Sequence, residues 1–268
     1  MTPDNRLHAQ GKAQFIDDIS LSTDCLHAFP LVSSIAHGMI VSFDFSAALA
    51  LSGVLEILIA KDIPGINQTG NIELDEVLLA DVEVCYQGQP IAIIIAETAK
   101  LARQAAQLCV LEYKSLPAVF DAREADRLGL HIAPPRCFAI GDVDASWQAC
   151  ALVVTGSAET GGQEHVYLET QTALAYPEEN GQLKIISATQ SPGMVQRIVA
   201  RILRCAMHKV EVDVLRLGGG FGGKEEQATI WAAMVALAAS KMQHPVKMAL
   251  SRAEDMCFTG KRHPYSAD

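Results

Sequence analysis

The sequence predicts an α+β fold built as two successive domains, and three observations carry that expectation. Half of the residues are hydrophobic and 19% are charged, the balance of a chain that buries a large core. Short β-branched runs alternate with segments of helical period. Between Leu116 and Gly141 this patterning fades into a tract holding Pro117, Pro134 and Pro135 with charges at Asp121, Arg123, Glu124, Asp126 and Arg127, which reads as an extended connection. The expected division is 1–117, a connection over 118–140, and 141–268.

Val84–Tyr86 and Ile91–Ala96 read as strands separated by the turn Gln87-Gly88-Gln89-Pro90. The second run has no polar alternation, so it is expected to be buried on both faces. Leu101, Ala102, Ala105, Leu108 and Cys109 then recur at helical spacing behind Thr98, a good N-cap, and Val110–Tyr113 returns as a strand. In the second half, Leu152–Ala158, Val166–Tyr176 and Leu183–Thr189 read as strands. The last two are joined through Asn180-Gly181, the strongest short hairpin signal. Met194–Ala206 carries Val195, Ile198, Val199, Ile202 and Leu203 on one face, the pattern of an amphipathic helix. In Val210–Leu217 the apolar alternation slips by one after Val214, which demands a bulge or a strand end. A helix from Gln227 to Lys241 and a strand over Val246–Leu250 complete the pattern.

The formal net charge of −10 without a Lys/Arg cluster argues against a nucleic-acid partner. Met1–Lys12 is polar and lacks a signal-peptide core. The apolar stretches around Ile91–Ala96 and Trp231–Ala239 are too short to span a bilayer, so a cytoplasmic location and no membrane partner are expected. The seven cysteines, Cys25, Cys85, Cys109, Cys137, Cys150, Cys205 and Cys257, form no CxxC pair. That argues against a disulfide framework, a zinc site or an iron–sulfur cluster held by this chain. His8, His131 and His208 sit in no ligand spacing.

Gly218 to Gly223 read Gly-Gly-Gly-Phe-Gly-Gly. Five glycines in six positions cost backbone entropy, so the loop is expected to be there for its geometry, with N–H groups converging on an anionic or oxo group. Two general motifs come close. Gly218, Gly220 and Gly223 satisfy the GxGxxG dinucleotide pattern, with Glu254 or Asp255 as a late ribose acid. Gly218, Gly223 and Lys224 satisfy a phosphate loop until Glu225, whose carboxylate repels phosphate and cannot replace the magnesium-binding hydroxyl.

With Lys224 and Glu225 included, the loop closely resembles the segment of xanthine dehydrogenase-type molybdenum hydroxylases that lies against the molybdopterin cofactor. Other segments agree in order: Gly11–Asp18, His37–Ile40, Asp62–Asn67, Tyr86–Pro90, Gly141–Asp144, Gly162–Glu169, Ala188–Gln190 and Arg262–Tyr265. The resemblance covers nearly the whole chain. It implies an α/β hammerhead domain followed by the first, incomplete part of the molybdopterin-binding domain. It implies a molybdenum–molybdopterin cofactor, with [2Fe–2S] clusters and FAD on a partner chain or domain, and oxidation of hypoxanthine and xanthine to urate with water as the oxygen source.

Residue by residue, Gln190 matches the glutamine whose amide donates to a molybdenum oxygen. Gly220, Phe221 and Gly222 match loop residues at the cofactor, with Gln190 and Phe221 near the metal without ligating it. Glu225 matches the acid that contacts the purine ring, a position where aldehyde oxidases usually lack one. Lys224 is expected to be a structural or solvated charge, and His165 to orient strands. Two departures stand out. Arg204-Cys205-Ala206-Met207 replaces a turn with Gly and Pro, which is expected to weaken the helix stop. Glu226 replaces a small hydroxyl residue. The family's general-base glutamate and substrate arginine come from a C-terminal portion not in this sequence, so the expectation is a fragment inactive by itself, completed by that portion and by an iron–sulfur/FAD subunit. The alternatives are a hydroxylase of aldehydes or other N-heterocycles, an NAD-binding oxidoreductase using the glycine loop, and a non-catalytic remnant.

Overall fold

The computed structural model describes residues 3–134 and 136–268; Met1 and Thr2 of the polar N-terminus and Pro135 of the expected connection lie outside them. In chain order, helix α1 (Pro3–Ala9) precedes strands β1 (Leu26–Val32) and β2 (Gly38–Asp44), the short α2 (Ser46–Leu49) and β3 (Val54–Ile59). Then come β4 (Glu83–Val84), β5 (Pro90–Ala96), α3 (Ala99–Leu108) and β6 (Val110–Ser115), followed by α4 (Ala122–Arg127), α5 (Val143–Ala149) and β7 (Ala158–Thr160). The chain continues through β8 (Thr172–Pro177), β9 (Leu183–Ser187), α6 (Pro192–Leu203), β10 (Val210–Asp213), α7 (Gln227–Met242), β11 (Val246–Ala249), α8 (Arg252–Phe258) and β12 (Tyr265–Ala267).

Two compact units emerge, one of residues 1–116 and 165–260, the other of 117–164 and 261–268. This division differs from the expected 1–117, 118–140 and 141–268, because early and late strands share one sheet. Its order is β10-β9-β8-β11-β1-β5-β3, and β1 pairs in parallel with β11. Such a long-range pairing leaves no local mark on either strand. A second sheet of the same unit has the order β4-β2-β6.

The core explains the patterns. β5 is buried at all seven positions: Ile93 and Ile95 join one apolar cluster with α6 and α7, while Ala92, Ile94 and Ala96 join another with α3. Helix α7 is apolar nearly all round because it is buried nearly all round, from Ala228 to Ala239. Thr98 caps α3 by accepting from the Leu101 amide. In the β8–β9 hairpin Asn180 and Gly181 both have positive φ, as a primed turn requires.

Four expectations shift. The chain leaves β10 at Asp213, so the slipped alternation marks a strand end. Val166 has φ 50°, which breaks the expected strand, and β8 starts only at Thr172. Within the second unit, Leu152–Ala158 forms no strand up to Gly156. Leu152 and Val154 stand exposed, and β-branched content does not make a strand without a partner to pair with. The expected extended connection contains α4, nucleated by Asp121, whose carboxylate accepts from the Glu124 amide.

The expected weak stop of α6 is closed from a distance. Arg204 takes the left-handed conformation with φ 52°. The last carbonyls are met by the Gly65 amide on Ile202 O at 2.9 Å and the Ile66 amide on Arg201 O at 3.2 Å. Gly65 is required there, since a Cβ would lie 2.6 Å from Ile202 O.

Candidate functional site

The glycine loop begins where Glu169 grips it. The Gly218 amide donates to Glu169 Oε2 at 2.8 Å, and the Glu169 amide donates back to Gly218 O at 3.0 Å. The loop then turns tightly: the Gly223 amide donates to Gly220 O at 2.7 Å, with φ 51° at Phe221 and 89° at Gly222. Two central residues with positive φ define a type I′ turn. Glycine adopts that conformation freely, whereas phenylalanine stores strain of about 1 kcal/mol or more. Phe221 does not recover it by packing, because its ring is 76% exposed.

Gln190 follows the end of β9 and binds the turn from behind. Its Oε1 accepts from the Gly222 amide at 3.1 Å and the Lys224 amide at 3.3 Å, and its own amide donates to Lys224 O at 2.9 Å. The side-chain oxygen is thereby committed, and the amide nitrogen is left as a donor without a partner among the described residues. A Cβ at Gly220 would come within 2.8 Å of the Gln190 Cδ, so any larger residue there would displace the Gln190 side chain. Beyond Gly222 no atom lies within 4 Å of a Cβ position, so the turn's outer face is open.

The structure thus brings Gln190, Gly220, Phe221 and Gly222 together, and Glu225 sits next to them, exposed and outside any helix. Glu226 gains an explanation that the sequence lacked, because its Oε1 accepts from Asn71 Nδ2 at 3.4 Å.

Behind this face lies a buried polar network. Lys224 is fully buried, with Nζ 3.3 Å from Glu169 Oε2 and 4.6 Å from the centre of the Tyr167 ring. Burial pushes its pKa down, against the opposing pull of Glu169. The Tyr167 hydroxyl donates to Asp255 Oδ1 at 2.8 Å, and burial together with that acceptor holds its pKa well above the usual phenol range. Gln171 joins the two halves. Its amide donates to Asp255 Oδ2 at 2.6 Å, and its Nε2 donates to Gly223 O at 3.0 Å. His165 stacks on Tyr167, which places it in packing beneath Gly223. Glu169, Tyr167 and Gln171 received no site role from the sequence, and Asp255 only that of a ribose acid. The one available signal was the density of polar residues in 163–171, too rich for the strand expected there.

The dinucleotide alternative fails on this geometry. Asp255 is buried and bonded to Tyr167 and Gln171, and Glu254 is paired through both oxygens with Arg103. Neither is left to bind a ribose. The strand before the loop, β10, ends the sheet, and the strand after it, β11, lies between β8 and β1, so no adjacent parallel strand–helix–strand unit surrounds the loop.

The residues present fit a molybdenum–pterin group: an open turn of glycines around one exposed phenylalanine, with a side-chain amide held beside it. Comparison with known proteins agrees. Residues 130–268 match the family described as molybdopterin cofactor-binding domain, and residues 10–117 match that described as aldehyde oxidase and xanthine dehydrogenase, a/b hammerhead domain. The chain is 37% identical over 263 residues to xanthine dehydrogenase of Oryza sativa subsp. japonica, covering 97% of this chain and 19% of that protein. It is 38% identical over 261 residues to aldehyde oxidase 1 of Bos taurus, covering 96% of this chain and 20% of that protein. Quinoline 2-oxidoreductase from Pseudomonas putida 86 superposes with a TM-score of 0.78 at 28% identity, over 94% of this chain and 34% of its own. The aldehyde oxidoreductase of Desulfovibrio gigas shares the fold with a TM-score of 0.87 at 24% identity, over 98% of this chain and 31% of its own. The chain therefore belongs to the aldehyde oxidase and xanthine dehydrogenase family of molybdopterin-binding proteins.

Proposed function

We propose that the chain supplies one wall of the molybdenum–pterin site of a hydroxylase that oxidises purines. The observation that carries this is the commitment of Gln190 Oε1 to the Gly222 and Lys224 amides, which fixes the side-chain amide and leaves its nitrogen as a donor without a partner among the described residues. When bound, the molybdenum–pterin group supplies the two-electron oxidation and takes its oxygen from water. Gln190, Gly220, Phe221 and Gly222 would hold it. The Gly222, Gly223 and Lys224 amides are taken by Gln190 Oε1 and Gly220 O, so the Gln190 side-chain nitrogen would be the donor toward the group, without ligating the metal. The exposed Phe221 ring offers an apolar face to a flat substrate.

Glu225 is the residue on which the choice of purine rests. An exposed carboxylate accepts hydrogen bonds from ring N–H groups and discriminates against analogues that lack them. Xanthine dehydrogenases and aldehyde oxidases resemble the chain equally, at 37% and 38% identity, so aldehydes or other N-heterocycles are the second reading. The division into 1–117, 118–140 and 141–268 is proposed as the order of the family's modules. Further proposals are electron removal through [2Fe–2S] clusters and FAD on a partner chain or domain, completion of the site by a further molybdopterin-binding portion, and a cytoplasmic location. No helix among the described residues is long and apolar enough to cross a membrane.

The test is reconstitution. The chain, combined with the remaining molybdopterin-binding portion of a relative and its redox partner, is expected to bind molybdenum and to reduce a dye with xanthine. The 268 residues by themselves are expected to give no turnover. Glu225→Val is expected to shift preference from xanthine to aldehydes by about tenfold or more, as loss of a hydrogen-bonding partner for the substrate does. Unchanged preference would remove the purine assignment.

A further inference from the structure

A buried lysine directly after a glycine run is an expensive choice, and its surroundings show what it does there. Lys224 is 0% exposed, and an ammonium taken out of water needs a close counter-charge. Glu169 provides it with Oε2 at 3.3 Å. The same oxygen accepts the Gly218 amide at 2.8 Å. One carboxylate therefore joins the first residue of the loop to the side chain that follows its last glycine. The Glu169 side chain is itself about nine-tenths buried, and its Oε1 has no partner among the described residues, so the carboxylate is committed to this one task.

At the other end of Lys224, the main chain does the positioning. Its amide donates to Gln190 Oε1. Its carbonyl accepts from the Gln190 amide at 2.9 Å and from Thr189 Oγ1 at 3.3 Å. Any movement of Lys224 along the loop moves the group that orients Gln190. Five glycines give the intervening backbone the largest freedom that a chain can have, so the loop's shape depends on what pins its two ends.

We propose that the Lys224–Glu169 ion pair is a clamp that sets the shape of the glycine loop, and that Lys224 is a positioning residue acting through its backbone on Gln190 and Gly222. This rests on the proposed function for its purpose but not for its test. The groups around the ammonium are Glu169, the Tyr167 ring and, farther off, Asp255 and Arg252. A merely structural pair could be replaced by neutral groups of similar size without consequence, and that distinguishes the two roles.

The experiment labels the 268-residue chain with ¹⁵N-glycine, ¹⁵N-lysine and ¹⁵N-glutamine and follows amide exchange without any cofactor. In the unmodified chain the Gly222 amide is expected to exchange at least tenfold more slowly than those of Gly156 and Gly161, which stand in open solvent. Equal rates would overturn the clamp without recourse to a variant. Lys224→Met is expected to lower the melting temperature, and Lys224→Met with Glu169→Gln to recover most of that loss. In the double variant Gly222 and Lys224 are nonetheless expected to exchange at least tenfold faster than in the unmodified chain, with the Gln190 side-chain signals moving to free-glutamine positions. If the double variant keeps slow exchange and unchanged Gln190 signals, the pair only balances charge and the proposal fails. A loop that is clamped in these measurements while the reconstituted enzyme takes up no molybdenum would instead overturn the proposed function and leave the clamp standing.

Discussion

The glycine loop and the C-terminus of α6 solve one problem in two ways. Each places a non-glycine residue in the left-handed region, Phe221 with φ 51° and Arg204 with φ 52°, and each is held by a segment remote in sequence. At α6 the holding groups are backbone amides, those of Gly65 and Ile66 on the last helical carbonyls, and the carbonyls are consumed by the contact. At the loop the holding groups are side chains, Glu169, Gln171 and Gln190. They grip from behind and leave the Phe221–Gly222 face open to solvent. Strain that ends a helix is tied down through the helix's own carbonyls, whereas strain that presents a surface is propped from one side. The second arrangement is the one expected of a binding wall.

The largest way to break the comparison is at the prop. Lys224→Met leaves Glu169 buried opposite an apolar group, and removal of one partner of a buried pair costs about 3–5 kcal/mol. Urea unfolding is expected to show a lower midpoint with an unchanged slope, the product of shift and slope matching that loss. Gly65→Ala attacks the α6 end instead. Its new methyl group would lie 2.6 Å from Ile202 O, and forced overpacking costs about 1–3 kcal/mol. Exchange is expected to rise at the amides of Gly65, Ile66 and Cys205 and to stay unchanged at Gly222, which separates the two regions.

Neither prop was legible in the sequence, although much else was. Asn180-Gly181, the unbroken apolar run of β5 and Thr98 before α3 are local signals, and each produced the element that local physics demands. The loop itself was legible as a glycine run followed by Lys224 and Glu225. What local pattern cannot carry is partnership. Lys224 reads as a structural or solvated charge until the fold brings Glu169 to it from 55 positions away, and the α6 stop looks weak until Gly65 reaches it. Val166–Gln171 looked like strand because Val, Tyr and Thr favour strands. Their neighbours Glu169 and Gln171 are drawn instead into the polar network behind the loop. The shared sheet was hidden for the same reason, since the register of β1 on β11 is written in neither strand alone.

A smaller effect sharpens the contrast by making one substitution in both places. Arg204→Gly and Phe221→Gly each relieve a left-handed residue, and each is expected to raise stability by about 0.5–1 kcal/mol. Arg204 is exposed and Phe221 is 76% exposed, so little packing is lost with either side chain. Thermal unfolding of the two variants is expected to be alike. Their activity in the reconstituted enzyme is expected to differ, because only Phe221→Gly removes a face offered to substrate and frees the turn in front of Gln190. Equal activities would mean that the Phe221 ring serves neither.

The smallest expected effect is a dependence on acid that only one region feels. Glu254 and Asp255 are neighbours on α8: Asp255 binds Tyr167 behind the loop, and Glu254 ties the same helix to Arg103 on α3. Burial tends to raise the Glu254 pKa, but the Arg103 guanidinium and the Ser251 amide outweigh it and hold the carboxyl below its ordinary value of 4.5. A depressed folded-state pKa means that the stabilisation is complete above the unfolded value and is lost as pH falls through the folded one. Stability is therefore expected to fall below about pH 4.5 by an amount typical of a part-exposed pair, about 0.2–1 kcal/mol. Glu254→Gln should remove that component from an unfolding series between about pH 6 and pH 3. Exchange at Gly223, linked to Asp255 through Gln171, should follow the same acid transition as α8 loosens. Exchange at the α6 end, where the holding groups are backbone amides without a titrating partner, should not. If both regions respond alike, α8 is not what carries the loop's support, and the prop behind Phe221 ends at Glu169 and Gln190.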